Sequence, residues 1–349
     1  MFENESRSEI SDLGEFGLIA HLTDGITLRQ PTTVRGIGDD AAVLSFNDKQ
    51  MLVSTDLLLE GIHFDLTYTP LKHLGYKAVT VNLSDICAMN GTPSQVTVAL
   101  GFSSKFTLEA VEELYLGIRM ACEKYKVDIV GGDTTSSTKG LVISITSIGY
   151  ADLEKIVYRN TAQEGDLLCV SGDLGAAYMG LQVLEREKDV FLHHPQVQPD
   201  LEGKDYIIER QLKPEARLDM IELFEEMELK PTAMIDISDG LASEILHLCE
   251  KSVLGCTLYE DKIPVDELTY STAREFNLDP TVCALSGGED YELLFTVPQS
   301  EFDKIKNHPM ISIVGHMTHV NDGKKMVSRS GVVHELKAQG WNAFKPEKS

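Results

Sequence analysis

Four segments far apart in the chain set aspartates beside glycines or at the end of an apolar run. They are Gly36-Ile37-Gly38-Asp39-Asp40, Ser54-Thr55-Asp56, Gly131-Gly132-Asp133-Thr134 and Asp236-Ile237-Ser238-Asp239-Gly240. A fifth carboxylate, Asp85, falls inside a helical pattern. If folding gathers these residues, like charges at close range cannot all stay ionised without compensation. Divalent cations are the usual compensation, and an all-oxygen ligand set favours a hard ion such as magnesium. Magnesium held by carboxylates and open to water commonly serves a nucleotide phosphate chain.

Each segment also has a plainer reading. Asp85 continues the apolar stripe Leu74, Ala78, Val81 at its own spacing, with Ala88 after it. A carboxylate buried there must be paired, hydrogen-bonded or bound to metal, because unpaired burial costs several kcal/mol. A helix cap or a salt bridge would serve as well as a cation. Gly131-Gly132-Asp133 closes an apolar strand, either as a backbone cradle for phosphate oxygens or as an ordinary turn. Asp236, Ser238 and Asp239 stand where a strand passes into a helix, so Asp239 either caps that helix or faces a phosphate or its metal. The chain has no G-x-x-x-x-G-K-[ST] sequence, no protein-kinase motif set, and no G-x-G-x-x-G at Ser171-Gly172-Asp173-Leu174-Gly175. Nucleotide chemistry here is therefore not of the P-loop, protein-kinase or dinucleotide kind.

The elements that must position these residues follow from periodicity. A short helix is expected around Leu13, Phe16 and Ile19, then strands at 41–46 and from Met51 to Asp56. A helix follows over 71–89, a strand over 96–102, and a helix capped by Thr107 with Glu109 in its first turn. Strands at 127–130 and 141–150 complete a first domain, 1–151. The second, 152–349, opens with a strand at 167–170, a glycine-rich turn and a helix from Ala176. Residues 185–214 are polar, carry His193-His194-Pro195 and two further prolines, and read as a surface insertion. Strands at 232–237, 291–297 and 311–314 and a helix striped by Leu241, Ile245 and Leu248 follow. The mixture is α+β, with no repeated βαβ unit.

A net charge of −24 argues against nucleic acid or an anionic membrane as main partner. The six cysteines form no CxxC pair and no zinc-like spacing with histidine, so buried free thiols in a reducing compartment are expected. The acidic N-terminus shows no signal-peptide pattern, and no apolar run nears the ~20 residues that cross a bilayer. A cytoplasmic protein is the expectation.

Read together, the motifs resemble the thiamine-monophosphate kinase family, within the aminoimidazole-ribonucleotide-synthetase-like superfamily. The matching segments are Gly14-Glu15-Phe16, Gly36-Ile37-Gly38-Asp39-Asp40-Ala41, Ser54-Thr55-Asp56, Gly61-Ile62-His63-Phe64, Val81-Asn82-Leu83-Ser84-Asp85-Ile86, Gly131-Gly132-Asp133-Thr134, Asp236-Ile237-Ser238-Asp239-Gly240-Leu241 and Ser286-Gly287-Gly288-Glu289-Asp290-Tyr291-Glu292-Leu293. They run in family order, and Gly340-Trp341-Asn342-Ala343-Phe344 fits as well. The resemblance implies a two-domain fold, an N-terminal α/β domain whose strands join a dimeric β-barrel and an α+β domain over the cleft. It implies ATP-dependent phosphorylation of thiamine monophosphate to thiamine diphosphate by a homodimer, on several magnesium ions and without a catalytic side chain. Asp40, Ser54, Thr55, Asp56, Asp85, Asp133, Asp236 and Asp239 would be metal ligands. Tyr115, Gly132, Asp133, Arg159 and Ser238 would contact ATP, and His63, Glu289 and Trp341 the thiamine substrate. Arg159 could hold a phosphate bidentately, and Trp341 offers a flat face to a cationic ring, or fills core.

Among relatives, a selenophosphate-forming enzyme would want a reactive Cys near the N-terminus, where this chain has none before Cys87. A hydrogenase-maturation dehydratase would carry a C-terminal Cys, and this chain ends Lys345-Pro346-Glu347-Lys348-Ser349. Aminoimidazole-ribonucleotide synthesis stays as the alternative enzyme, and a non-catalytic divalent-metal-binding protein as the alternative of another class.

Overall fold

Strict alternation along Gln50–Leu59 (β3) builds the first sheet. Met51, Val53, Thr55 and Leu57 are exposed, while Ser54, Asp56 and Leu58 turn inward. The computed structural model describes residues 21–35, 43–44 and 49–338. The expected first helix around Leu13, Phe16 and Ile19, and the candidates Asp40 and Trp341, lie outside them. The chain divides into two compact units, Met1–Ile86 with Gly91–Glu154, and Cys87–Asn90 with Lys155–Ser349.

In the first unit Thr33–Arg35 (β1) pairs with Val43–Leu44 (β2). β3 belongs to a sheet with Thr92–Phe102 (β4), Asp128–Ser136 (β5) and Val142–Ala151 (β6), in the order β3-β6-β4-β5. β6 is antiparallel to both β3 and β4, and β5 runs parallel to β4. Ile145 and Val98 stand opposite Asp56, and Ile143 and Leu100 opposite Leu58, all buried. The helix Leu71–Ala88 (α1) covers this face: the Ser147 hydroxyl donates to the Asn82 carbonyl at 2.9 Å. On its far side passes Leu108–Tyr125 (α2), capped by the Thr107 hydroxyl as expected. A Cβ at Gly75 would stand 1.9 Å from the Leu114 carbonyl, so only glycine lets the two helices approach this closely. Every residue of α1 from Leu74 to Ser84 is therefore buried, including Lys77, Thr80, Asn82 and Ser84. The expected apolar stripe is not what defines this helix; Asp85 is the first residue after that stretch to be partly open.

The second unit holds a sheet of Leu167–Ser171 (β7), Ala233–Asp236 (β8), Gly255–Tyr259 (β9), Leu293–Val297 (β10), Ile311–Thr318 (β11), Lys324–Val327 (β12) and Val333–Glu335 (β13). Its order is β13-β12-β9-β11-β7-β10-β8. Helices Ala176–His193 (α3), Asp205–Leu212 (α4), Leu218–Glu226 (α5), Leu241–Ser252 (α6), Glu267–Glu275 (α7) and Pro280–Ser286 (α8) accompany it. Side chains alternate between two cores. Leu168, Val170 and Leu294 join Leu241, Ile245 and Leu248 of α6 on one face. Cys169, Leu293 and Phe295 join Met220 and Phe224 of α5 on the other, with the Phe224 and Phe295 rings edge to face at 5.0 Å. Among the described residues none of the sheets closes into a barrel. No helix there is long and apolar enough to cross a membrane, and all six cysteines are buried and free.

Residues 185–214 are not the surface insertion that their polarity suggests. Residues 185–193 finish α3, and α4 lies on α3 with Ile207 fully buried beside Met179 and Val183. Three prolines and a His pair obscured a helix too short to show a clear period. The continuously exposed stretch is 191–200, the last turn of α3 and the start of the loop, with His193 and His194. Ile207→Ala should lower the unfolding free energy by about 2–5 kcal/mol, the cost of a core truncation. Urea denaturation checks it; a change within ~0.5 kcal/mol, as for an ordinary surface site, would return this segment to the surface.

Candidate functional site

The sheet-helix seam of the first unit brings Ser54, Asp56 and Asp85 together. Ser54 and Asp56 are two apart on β3, so both face α1. The Ser54 hydroxyl donates to Asp85 Oδ2 at 2.5 Å. Burial first, and then the Asp85 charge, push the Asp56 carboxyl up from 3.8 to about 6. Asn82 fixes the register of the seam: its Oδ1 accepts from the Asp56 backbone N–H at 2.9 Å and its Nδ2 donates to the Ala78 carbonyl at 2.9 Å. Buried inside the motif Val81–Ile86, Asn82 carries a positional role that residue type alone did not announce.

Thr55 stands apart from this pair. Its hydroxyl is engaged on the opposite face, donating to the Ile145 carbonyl at 3.0 Å and accepting from Thr146 at 3.1 Å. Gly131, Gly132 and Asp133 are strand rather than turn, paired with Thr97, Val98 and Ala99 of β4. A Cβ at Gly132 would stand 1.8 Å from the Val98 carbonyl, so the close approach that needs glycine is to the neighbouring strand. Asp133 is exposed. His63 sits in the turn after β3, where its Nδ1 accepts from the Leu59 N–H at 3.0 Å, which leaves the proton of the neutral ring on Nε2. Tyr115 is buried on α2, and burial pushes its phenol up to about 12.

In the second unit β8 ends at Asp236, which is buried, and Ile237-Ser238-Asp239 leads to Gly240 at the start of α6. Asp239 does not cap the helix, which has no side-chain cap. Instead Glu244, one turn in, accepts from the Asp239 backbone N–H at 2.9 Å and lies 3.5 Å from the Ser238 hydroxyl. Burial pushes Glu244 up to about 8, and its Oε2 is buried with no hydrogen-bond partner among the described residues. Burial also raises the Asp239 carboxyl. Sequence reasoning missed Glu244, although a carboxylate one turn inside a helix N-terminus is a readable signal.

The segment 286–293 packs against this turn. Glu289 N–H donates to the Ser238 carbonyl at 2.7 Å and Tyr291 N–H to the Ile237 carbonyl at 2.9 Å. Glu289 and Tyr291 have φ of 60° and 52°, a left-handed backbone uncommon for such residues, of the kind held at functional sites by their surroundings. Arg159 is exposed, and its carbonyl accepts from Ser252 at the far end of α6. The 12 residues of that helix place it roughly 18 Å from the turn that carries Ser238.

Among the described residues no three carboxylate, imidazole or thiol groups cluster closely enough to hold a metal. The donor chemistry nevertheless suits a hard cation. Asp56 and Asp85 are all-oxygen donors close enough for one charge to raise the other's proton affinity, and a cation would relieve both.

Residues 38–151 match the family model "AIR synthase related protein, N-terminal domain". The thiamine-monophosphate kinase of Aquifex aeolicus is 33% identical over 96% of this chain and 99% of its own length. That of Escherichia coli K12 is 34% identical over 95% and 98%. A solved structure of AaThiL complexed with AMPPCP and TMP superposes with a TM-score of 0.73 at 31% identity, covering 96% of this chain and 98% of its own. With that identity sustained over nearly its whole length, the chain belongs to the thiamine-monophosphate kinase family, a family of kinases.

Proposed function

We propose that this protein transfers the γ-phosphoryl group of ATP directly to thiamine monophosphate, giving thiamine diphosphate and ADP. Family membership supports the reaction class, and the AaThiL complex carries both an ATP analogue and TMP. The observation that carries the reading on this chain is the polar seam where the Ser54 hydroxyl bonds Asp85 and the Asp85 charge adds to burial in raising Asp56, two residues along the same strand face.

The proposed magnesium ligands are Asp40, Ser54, Asp56, Asp85, Asp133, Asp236 and Asp239. Thr55 fits least, its hydroxyl being held on the opposite face. When bound, magnesium supplies positive charge against phosphate oxygens and offsets the repulsion between two anionic substrates. Phosphoryl transfer asks the protein mainly for positioning and charge neutralisation. The acceptor phosphate is nucleophilic near neutral pH, so no side chain need act as a strong base. Tyr115, Gly132, Asp133, Arg159 and Ser238 are proposed ATP contacts. His63, presenting an Nε2 proton, Glu289 and Trp341 are proposed to hold the thiamine ring system. The buried thiols take no part: burial pushes Cys122 up to about 12, away from the thiolate range. Six free buried cysteines also suit a reducing cytoplasm.

The exposed residues Met51, Val53 and Leu57 give β3 an apolar outer face. Among the described residues β3 also ends its sheet, leaving an unpaired edge. We propose that a second copy covers this strand, completing a barrel across the pair.

Three outcomes test the reading. Asp56→Asn and Asp85→Asn should each lower thiamine-monophosphate-dependent ADP release by at least about a hundredfold. Their thermal midpoints without magnesium should not fall, since one of two neighbouring charges is gone. Wild-type rate in either variant at limiting magnesium would remove that residue from the site. Thiamine monophosphate should be phosphorylated and free thiamine, whose neutral hydroxyl needs a base, should not. Equal turnover of both acceptors, or ADP release indifferent to either, would defeat the kinase reading and favour a metal-binding protein or another member of the superfamily. Light scattering at micromolar concentration should report a dimer, and Val53→Lys a monomer; a fully active wild-type monomer would reject the shared barrel.

A further inference from the structure

Helix α4, which the sequence presents as part of a surface insertion, reaches the segment 286–293 with two consecutive side chains. Gln211 Nε2 donates to Glu289 Oε2 at 2.7 Å. Arg210 Nη1 donates to Glu292 Oε1 at 2.9 Å, and its Nη2 donates to the carbonyls of Asp290 and Asp173, both at 3.2 Å. Glu292 is buried and also takes the Ser171 hydroxyl at 2.5 Å and the Arg217 guanidinium on Oε2. Asp290 is buried as well, its carboxylate accepting from the Gly175 N–H at 2.8 Å and lying near the Ala177 N–H at 3.4 Å. The left-handed residues Glu289 and Tyr291 thus alternate with two carboxylates, Asp290 and Glu292, that are pinned from beneath.

This alternation has a physical logic. Residues held at positive φ persist only where the surroundings over-determine them. Charged hydrogen bonds inside a dry network are strong, and a guanidinium meets carboxylate and carbonyl oxygens in a fixed fork. Of the carboxylates in the segment, Glu289 alone is only partly buried, and the amide of Gln211 holds its Oε2. Arg210 and Gln211 therefore divide the work: the first holds the chain that follows Glu289, through the Asp290 carbonyl and the Glu292 carboxylate, and the second orients the Glu289 side chain.

We infer that α4 is the positioning element for the acceptor substrate, with Gln211 and Arg210 presetting Glu289 and so determining affinity for the thiamine moiety rather than for ATP. The inference rests on the assignment of Glu289 as a substrate contact and extends it to two residues that touch neither substrate. Preorganisation of this kind acts through the cost of ordering the contact, so its loss weakens binding of one ligand without removing any group from the reacting atoms.

The test is steady-state kinetics of the full-length enzyme with Gln211→Met, Arg210→Lys, Glu289→Ala and the double variant Gln211→Met/Glu289→Ala. Gln211→Met should raise KM for thiamine monophosphate about tenfold, the loss of one hydrogen bond to a charged group. KM for ATP, kcat and the thermal midpoint should stay near wild type. The double variant should be no worse than Glu289→Ala alone, because the amide acts only through that carboxylate. Arg210→Lys should move KM in the same direction; should it fail to fold, Gln211→Met, which keeps both ion pairs, carries the test alone. Losses spread equally over both substrates, or full additivity in the double variant, would show a structural role only and overturn the inference. A raised acceptor KM in Glu289→Ala with none in Gln211→Met also overturns it while leaving Glu289 a substrate contact. An unchanged acceptor KM in Glu289→Ala removes that assignment, and the inference with it.

Discussion

Carboxylates taken out of water must be answered by protons, by donors or by positive charge, and much of this molecule is arranged around how each one is answered. Glu292 is answered by a hydroxyl and two guanidiniums, and Asp290 by backbone N–H groups, although burial still pushes its carboxyl up to about 7. Burial likewise raises the carboxyls of Asp56, Asp239 and Glu244. Asp290 and Glu292 serve as scaffold for the segment 286–293, whereas Asp56 and Asp239 stand where the family resemblance places metal.

The two sheets present such groups differently. In the first unit a helix buried along most of its length is laid on one polar row of the sheet, so Asp85 meets Ser54 across a seam that Asn82 keeps in register. In the second unit the strand β8 stops and the chain turns into α6 without a capping side chain, leaving Ser238 and Asp239 at the helix N-terminus beside Glu244. The segment 286–293 is tied to that same turn by its own backbone. One site is built by packing across elements, the other by a chain reversal. Their residues are accordingly spread in sequence in the first case and locally grouped in the second.

Long periodic elements were legible: α2 with its Thr107 cap, α6 with its stripe, and β3, β4 and β6 all stand near their expected places. Two local readings were changed by partners that sequence does not show. Gly131-Gly132-Asp133 suggests a turn, because glycine pairs usually break strands, but β4 lies close enough to require glycine and keeps the strand going. Residues 185–214 suggest solvent, because charges and prolines dominate, but α3 accepts the short apolar face of α4.

By itself the sequence determined the residue types, their oxygen-only chemistry, the order of the motifs and hence the family, because these are properties of local spelling. Only tertiary structure decided which carboxylates come near one another, that Thr55 turns away from Asp56, that Glu244 backs Asp239, and that Gln211 reaches Glu289. Those relations join segments up to 90 residues apart, and in an unfolded chain such distances are unconstrained. Strand register and the close seating of one helix on another set them to hydrogen-bond length, and no local pattern encodes either.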